Sequence, residues 1–312
     1  MIRFSCALVL AMVCSLINAG FAQTELNVLK IKNARQFHAY FKYTGNDIPL
    51  INGHRGGMVP GFPENSIETF ENTLRHTPAF FEVDPRLTKD SVIVLMHDAT
   101  LERTTNGKGK VSDYTWQELQ KLRLRDPEGN VTESRIPTLE EAVKWARGKT
   151  ILDLDKKDVP LEMTARKLTE WNAWSHVMLT VHNAEQAKFY CNYNKNVMLA
   201  AFVKTKEALY EYEKAGIPWS QVMAFIGTKT GPENKELIDM LHQRGVMCMI
   251  SAAPTYDKLK DPEARKEAYR EIVKSGADVI ESDLPIEAAE AIRPLIKAKS
   301  GKSKFFAKSA VK

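Results

Sequence analysis

The sequence predicts a (β/α)8 TIM barrel, an α/β fold with a small insertion after its second strand. Three observations carry that expectation. Short apolar runs rich in β-branched residues alternate with amphipathic stretches from Pro49 onward. Nine such runs occur, one too many for an eight-stranded barrel. The surplus run can be removed on physical grounds. A chain of 312 residues with 44% hydrophobic content can also bury one large core.

The candidate strands are 50–54, 80–84, 92–96, 150–154, 177–181, 197–202, 222–226, 246–250 and 278–281. Helical patterns fall near 64–75, 138–147, 161–171, 184–191, 205–215, 233–243 and 262–275. Strand–helix alternation implies parallel strands with right-handed crossovers. Runs 80–84 and 92–96 are joined through Thr88-Lys89-Asp90-Ser91 with no helix between them. A parallel pair needs a crossover of about a dozen residues or more, so 85–96 reads as a hairpin leaving the barrel. It opens an insertion over about 85–137. A doubly wound open sheet is the alternative architecture, because counting strands does not prove closure.

The segments outside the barrel follow. Residues 1–22 read as a signal peptide: Arg3, a short apolar run over 6–17, and small residues Gly20 and Ala22 before Gln23. The expectation is an exported protein, periplasmic or secreted; a lipoprotein cut at Cys14 fits less well because Val13 is large. Residues 23–48 form a helical extension, with Asn33 capping a helix through Phe37, Tyr40 and Phe41 that ends at Gly45. The barrel spans 49–296. The tail 297–312 carries six lysines and no acid. Without the tail and the leader, 37 basic residues stand against 39 acidic ones. The net charge of +5 therefore argues for a basic, disordered tail with weak membrane-surface contact at most, not for nucleic acid. Cys191 and Cys248 read as buried free thiols.

In a barrel, side chains at the C-terminal strand ends face the active site. The first strand ends in Gly53-His54-Arg55-Gly56-Gly57. Imidazole titrates near neutrality, and guanidinium clamps phosphate oxygens. The second ends in Glu82-Val83-Asp84, two carboxylates on one face. Asp153 in Leu152-Asp153-Leu154-Asp155 adds a third, and Asp155 shares its face. Crowded carboxylates demand a cation, and hard oxygen ligands suit Mg²⁺ or Ca²⁺. The hairpin ends in Met96-His97-Asp98 and returns a second imidazole over the barrel mouth. Paired imidazoles suit proton transfer. His182 could line the pocket; His38, His76, His176 and His242 are weaker candidates. No serine or cysteine nucleophile and no Walker-type loop joins the set. A cation and an arginine to offset phosphoryl charge, with imidazoles to move protons, suit phosphodiester cleavage.

The motifs His54-Arg55-Gly56, Pro63-Glu64-Asn65-Ser66, Glu82-Val83-Asp84, Leu87-Thr88-Lys89-Asp90 and His97-Asp98 come in this order. Leu101 with Arg103-Thr104-Thr105-Asn106-Gly107, Ile136-Pro137-Thr138-Leu139-Glu140-Glu141, and Gly276-Ala277-Asp278-Val279-Ile280 with Asp283 and Pro285 follow. Together they resemble the glycerophosphodiester phosphodiesterase family, densely over 50–155 and sparsely beyond. The resemblance implies a metal-dependent hydrolase that gives glycerol 3-phosphate and a free alcohol. It implies His54 and His97 as general acid and base, Arg55 on phosphate, and Glu82, Asp84 and Asp153 on one Mg²⁺ or Ca²⁺. Where the family usually has a lysine, two residues after the third carboxylate, this chain has Asp155. Lys156 follows, and it reaches substrate only if the strand bulges. The strand 246–250 departs from a Trp and Asn pattern frequent in the family. A lyase giving a cyclic phosphate and a non-catalytic binding relative are the alternatives.

Overall fold

The computed structural model describes residues 25–297 and 300–310; the signal peptide expected at 1–22 lies outside them. The chain begins with β1 (Leu26–Leu29), α1 (Ala34–Phe41), β2 (Leu50–Gly53), α2 (Ile67–His76) and β3 (Phe80–Val83). The insertion holds β4 (Pro85–Leu87), β5 (Ile93–Leu95) and α3 (Trp116–Leu119). Then come α4 (Leu139–Ala146), β6 (Leu152–Leu154), α5 (Leu161–Glu170), β7 (Val177–Val181), α6 (Ala184–Tyr193) and β8 (Leu199–Phe202). The last part runs α7 (Lys206–Lys214), β9 (Val222–Gly227), α8 (Pro232–Gln243), β10 (Cys248–Ser251), α9 (Pro262–Lys274), β11 (Val279–Ser282), α10 (Pro285–Ile292) and β12 (Phe306–Ser309).

Eight parallel strands close in the order β2-β3-β6-β7-β8-β9-β10-β11, with β11 returning to β2. This is the expected barrel, and the open-sheet alternative falls. β4 and β5 pair antiparallel in a separate hairpin, so the surplus run belongs to the insertion. That insertion has its own small core of Val94, Met96, Leu101, Val111, Leu119, Leu124 and Ile136.

Strand alternation sorts the barrel residues. Ile51, Phe81, Val83, Leu152 and Leu154 pack outward against the helices. Leu50, Phe80, Ile151, Met178, Met223, Met247 and Val279 point into the lumen. α1 presses Phe37, Tyr40 and Phe41 against that inner layer and closes the N-terminal end of the barrel. Asn33 caps α1 as expected, accepting from the Gln36 amide.

The tail is where the charge reading fails. Residues 306–309 form β12, which pairs antiparallel with β1. Phe305 packs edge-on against Tyr40 at 5.4 Å. Lys302 is 2% exposed, and its ammonium donates to the Ala39 and Lys42 carbonyls near Asp47. Two adjacent phenylalanines within the lysine-rich stretch supplied the apolar anchor, and a charge count does not register them. Removing the Phe305 ring should cost about 3–5 kcal/mol. We expect Phe305→Ala to lower the denaturation midpoint in urea, whereas a disordered tail would leave it unchanged.

Cys191 and Cys248 are free and buried, as expected.

Candidate active site

The loop after β2 positions the first imidazole. His54–Gly56 form one 3₁₀ turn, with Arg55 held at φ 53° and ψ 24°. Gly56 and Gly57 follow at φ 94° and 109°. A Cβ on Gly56 would meet the Phe70 ring at 2.6 Å, and one on Gly57 would meet Pro285 at 2.8 Å. Glycine is thus required both for backbone angle and for space. The turn aims the Arg55 amide at Glu82 Oε2, 3.1 Å away.

His54 Nδ1 lies 2.6 Å from Asp283 Oδ1, just past the end of β11. An ionised carboxylate only accepts, so Nδ1 carries the proton and Nε2 is left toward the cavity. Nε2 stands 3.9 Å from Glu82 Oε2. Burial opposes charge on His54, but the Asp283 hydrogen bond and the Glu281 and Asp283 charges outweigh it. Its pKa is held above the ordinary imidazole value. Burial would raise Asp283; His54 and Lys258 hold it below the usual carboxylate range instead. The Lys258 ammonium donates to its second oxygen at 2.7 Å.

Register places Glu82 beside Asp153 across β3 and β6. His54, Glu82, Asp153, Asp155 and Glu281 all line one cavity of about 150 Å³ at the C-terminal end of the barrel. Asn65 holds Asp84 in place: its Nδ2 donates to Asp84 Oδ2 at 2.6 Å, and its Oδ1 accepts from the Asp84 amide at 3.0 Å. Asn65 itself sits at φ 59°. Burial, then the Asp84 and Asp155 charges, push Glu82 well above its ordinary pKa. Burial and Glu281 do the same to Asp153, and burial raises Glu281.

Two acids can be told apart by their partners. Donor oxygens of Glu82, Asp84 and Asp155 all lie within 4.8 Å of one another. Yet Asp155 is already paired, with Lys157 Nζ at 2.6 Å and His182 Nε2 at 3.7 Å. Burial would raise Asp155, but His182 and Lys157 hold it well below the usual range. Asp153 Oδ1 accepts from Thr180 at 3.0 Å, while its buried Oδ2 has no hydrogen-bond partner. Asp84 Oδ1 pairs with the same Lys157 ammonium, at 3.0 Å. A buried, unpartnered Asp153 oxygen near the clustered Glu82 and Asp84 carboxylates fits a hard cation.

The second imidazole comes from the insertion. His97 Nδ1 lies 2.8 Å from Asp98 Oδ1. Arg103 clamps Asp98 and also Glu64, and Glu64 accepts from Arg55 at 3.1 Å. A continuous ion-pair chain thus runs from His97 to Arg55. The Arg103 hydrogen bond, with help from His97, holds Asp98 well below the usual carboxylate range.

Lys156 needs correction. Its ammonium turns to the Lys157 carbonyl, and Lys157 is the lysine that reaches Asp84 and Asp155. β6 ends at Leu154, so alternation no longer governs the residues beyond it. Sequence reasoning also missed Glu281 and Asp283 as site residues. The signal was present, since Glu281-Ser282-Asp283 repeats the acid–x–acid pattern of Glu82-Val83-Asp84.

The sequence matches the model of the glycerophosphoryl diester phosphodiesterase family over residues 54–250. The chain belongs to that family. A glycerophosphoryl diester phosphodiesterase of known structure from Parabacteroides distasonis is 62% identical, with a TM-score of 0.90 over 91% of this chain and 100% of the other. The glycerophosphodiester phosphodiesterase of Caldanaerobacter subterraneus is 38% identical over 33% of this chain and 42% of its own length. Human glycerophosphodiester phosphodiesterase 1 is also 38% identical, over 29% of this chain and 28% of its own. The match therefore spans less than half of these two curated relatives. The crystal structure of the Agrobacterium tumefaciens glycerophosphodiester phosphodiesterase shares the fold at 20% identity and a TM-score of 0.62.

Proposed function

We propose that the chain hydrolyses glycerophosphodiesters to glycerol 3-phosphate and a free alcohol, using a divalent cation. The carrying observation is the buried Asp153 Oδ2, which has no hydrogen-bond partner, close to Glu82 and to a carboxylate-backed imidazole in one cavity. Glu82, Asp84 and Asp153 would hold Mg²⁺ or Ca²⁺; Asp155, paired with both Lys157 and His182, flanks them. Bound there, the cation would offset charge on the phosphoryl oxygens. A structure of an Oleispira antarctica phosphodiesterase in complex with the product sn-glycerol-3-phosphate shares the barrel and supports this choice of product.

In this reading Arg55 and Lys157 orient the phosphate. One imidazole takes a proton from water as its oxygen bonds to phosphorus. The bond from phosphorus to the leaving alcohol breaks, and the other imidazole protonates that oxygen. His54 holds its proton more tightly than free imidazole and suits the acid; His97 is then the base. The leader over 1–22 would take the protein to the periplasm or outside the cell.

The deciding experiment is a panel of glycerophosphodiesters with EDTA and add-back of each cation, products read by ³¹P NMR. Glycerol 3-phosphate formed only with added cation supports the hydrolase. A lasting cyclic phosphate would replace it with the lyase, and no turnover on any diester would leave a binding protein. A separate comparison tests the lysine assignment. Lys157→Met should lower kcat/KM by about tenfold or more, as loss of a charged phosphate contact would. Lys156→Met should stay near the parent; equal losses would refute the assignment.

A further inference from the structure

We propose that Lys204 sets head-group selectivity. Its ammonium lies over the aromatic wall of the catalytic cavity, so that diesters of uncharged polyols are accepted and diesters of cationic amino alcohols are disfavoured. The inference rests on the phosphodiester reading above.

In the closed barrel, β8 and β9 stand across the lumen from β2 and β3. Phe202 of β8 and Phe225 of β9 line the same cavity as His54 and Glu82. A phosphodiester held at the acid-and-imidazole side therefore directs one of its ester arms at two phenyl rings. The rings lie 4.6 Å apart, tilted by 43°. His182 extends the wall, 4.5 Å from Phe202.

Aromatic faces attract cations, and such a wall is the usual means of holding a quaternary ammonium. Here the chain supplies the cation itself. Lys204 Nζ sits 4.6 Å from the Phe202 centroid and 5.0 Å from that of Phe225. A cationic head group has two choices. It can displace Lys204, exchanging one cation for another without net gain, or lie beside it and meet like-charge repulsion. A polyol meets neither cost, and its hydroxyls can accept from the ammonium. Lys204 is exposed, so water screens the repulsion, and the expected discrimination is about tenfold in kcat/KM.

The test measures kcat/KM for glycerophosphocholine and glycerophosphoinositol in the parent, Lys204→Met and Lys204→Arg. The parent should favour the inositol diester. Lys204→Met, which keeps the aliphatic stem, should raise the choline diester about tenfold without raising the other. Lys204→Arg should keep the parental order. Equal changes on both substrates, or a parent that already prefers choline, would overturn the proposal. If the parent turns over no diester of the wider panel, the phosphodiester reading itself has failed. Isothermal titration of the same two compounds then decides selectivity, and an unchanged affinity ratio in Lys204→Met overturns it.

Discussion

His54→Ala should lower kcat by about 10²–10⁴-fold while leaving the fold intact. The side chain is part-exposed at the cavity and packs into no apolar cluster, so little burial is lost. Its partner Asp283 keeps the Lys258 ammonium at 2.7 Å and is not stranded as an unpaired charge. The measurement is steady-state kinetics beside thermal unfolding. A collapse of the melting temperature with the activity would make His54 structural. Asp283→Asn refines the point. An amide oxygen can still accept from Nδ1, so the ring stays oriented, but the charge that raises the His54 pKa is gone. If His54 is the acid, activity falls above its pKa, and Asp283→Asn should move the alkaline limb of the pH profile to lower pH. An unmoved limb would take His54 out of the acid role.

Asp153→Asn should abolish most activity and yet make the metal-free protein more stable. In the metal-free site Asp153 is buried, faces the Glu281 charge and leaves one oxygen unpartnered. The amide removes the repulsion and can keep the Thr180 hydrogen bond. Asp155→Asn should do the opposite and destabilise, because that carboxylate is paired with Lys157 and His182. Melting curves in EDTA decide this; equal signs for the two variants would refute the distinction between them.

The same site gives a pH dependence of defined sign. Burial and mutual repulsion raise the folded pKa values of Glu82, Asp153 and Glu281. Above about pH 4 the unfolded carboxyls have lost their protons while these folded ones keep theirs. The native state then binds more protons, so stability of the metal-free protein falls as pH rises through that window. A divalent cation replaces the missing protons. Its increment in melting temperature should therefore be larger at pH 8 than at pH 5, and the reverse order would argue against a cation among these acids.

Much of this site could be read before any coordinates. His54, Glu82 and Asp84 sit at strand ends, where a period of two fixes which face a side chain takes. The same logic, carried two residues past 281, would have given Glu281 and Asp283. It fails at Lys156 because hydrogen-bonded pairing stops at Leu154, and a bend has no fixed period. The Arg103 clamp linking His97 to Arg55 was beyond reach for another reason: it joins residues 39 positions apart through an irregular insertion. The tail illustrates competing local signals, in which a few aromatic anchors outweighed a run of lysines.

The pairing of β1 with β12 sets Leu26 opposite Ser309, on the side of the barrel away from the cavity. The first and last strands among the described residues therefore meet at one corner. A short linker could join them and let new ends be cut in an exposed loop, giving a circular permutant with the barrel order unchanged. A surface tether attached beside β12 would hold each molecule with its catalytic opening facing the solution.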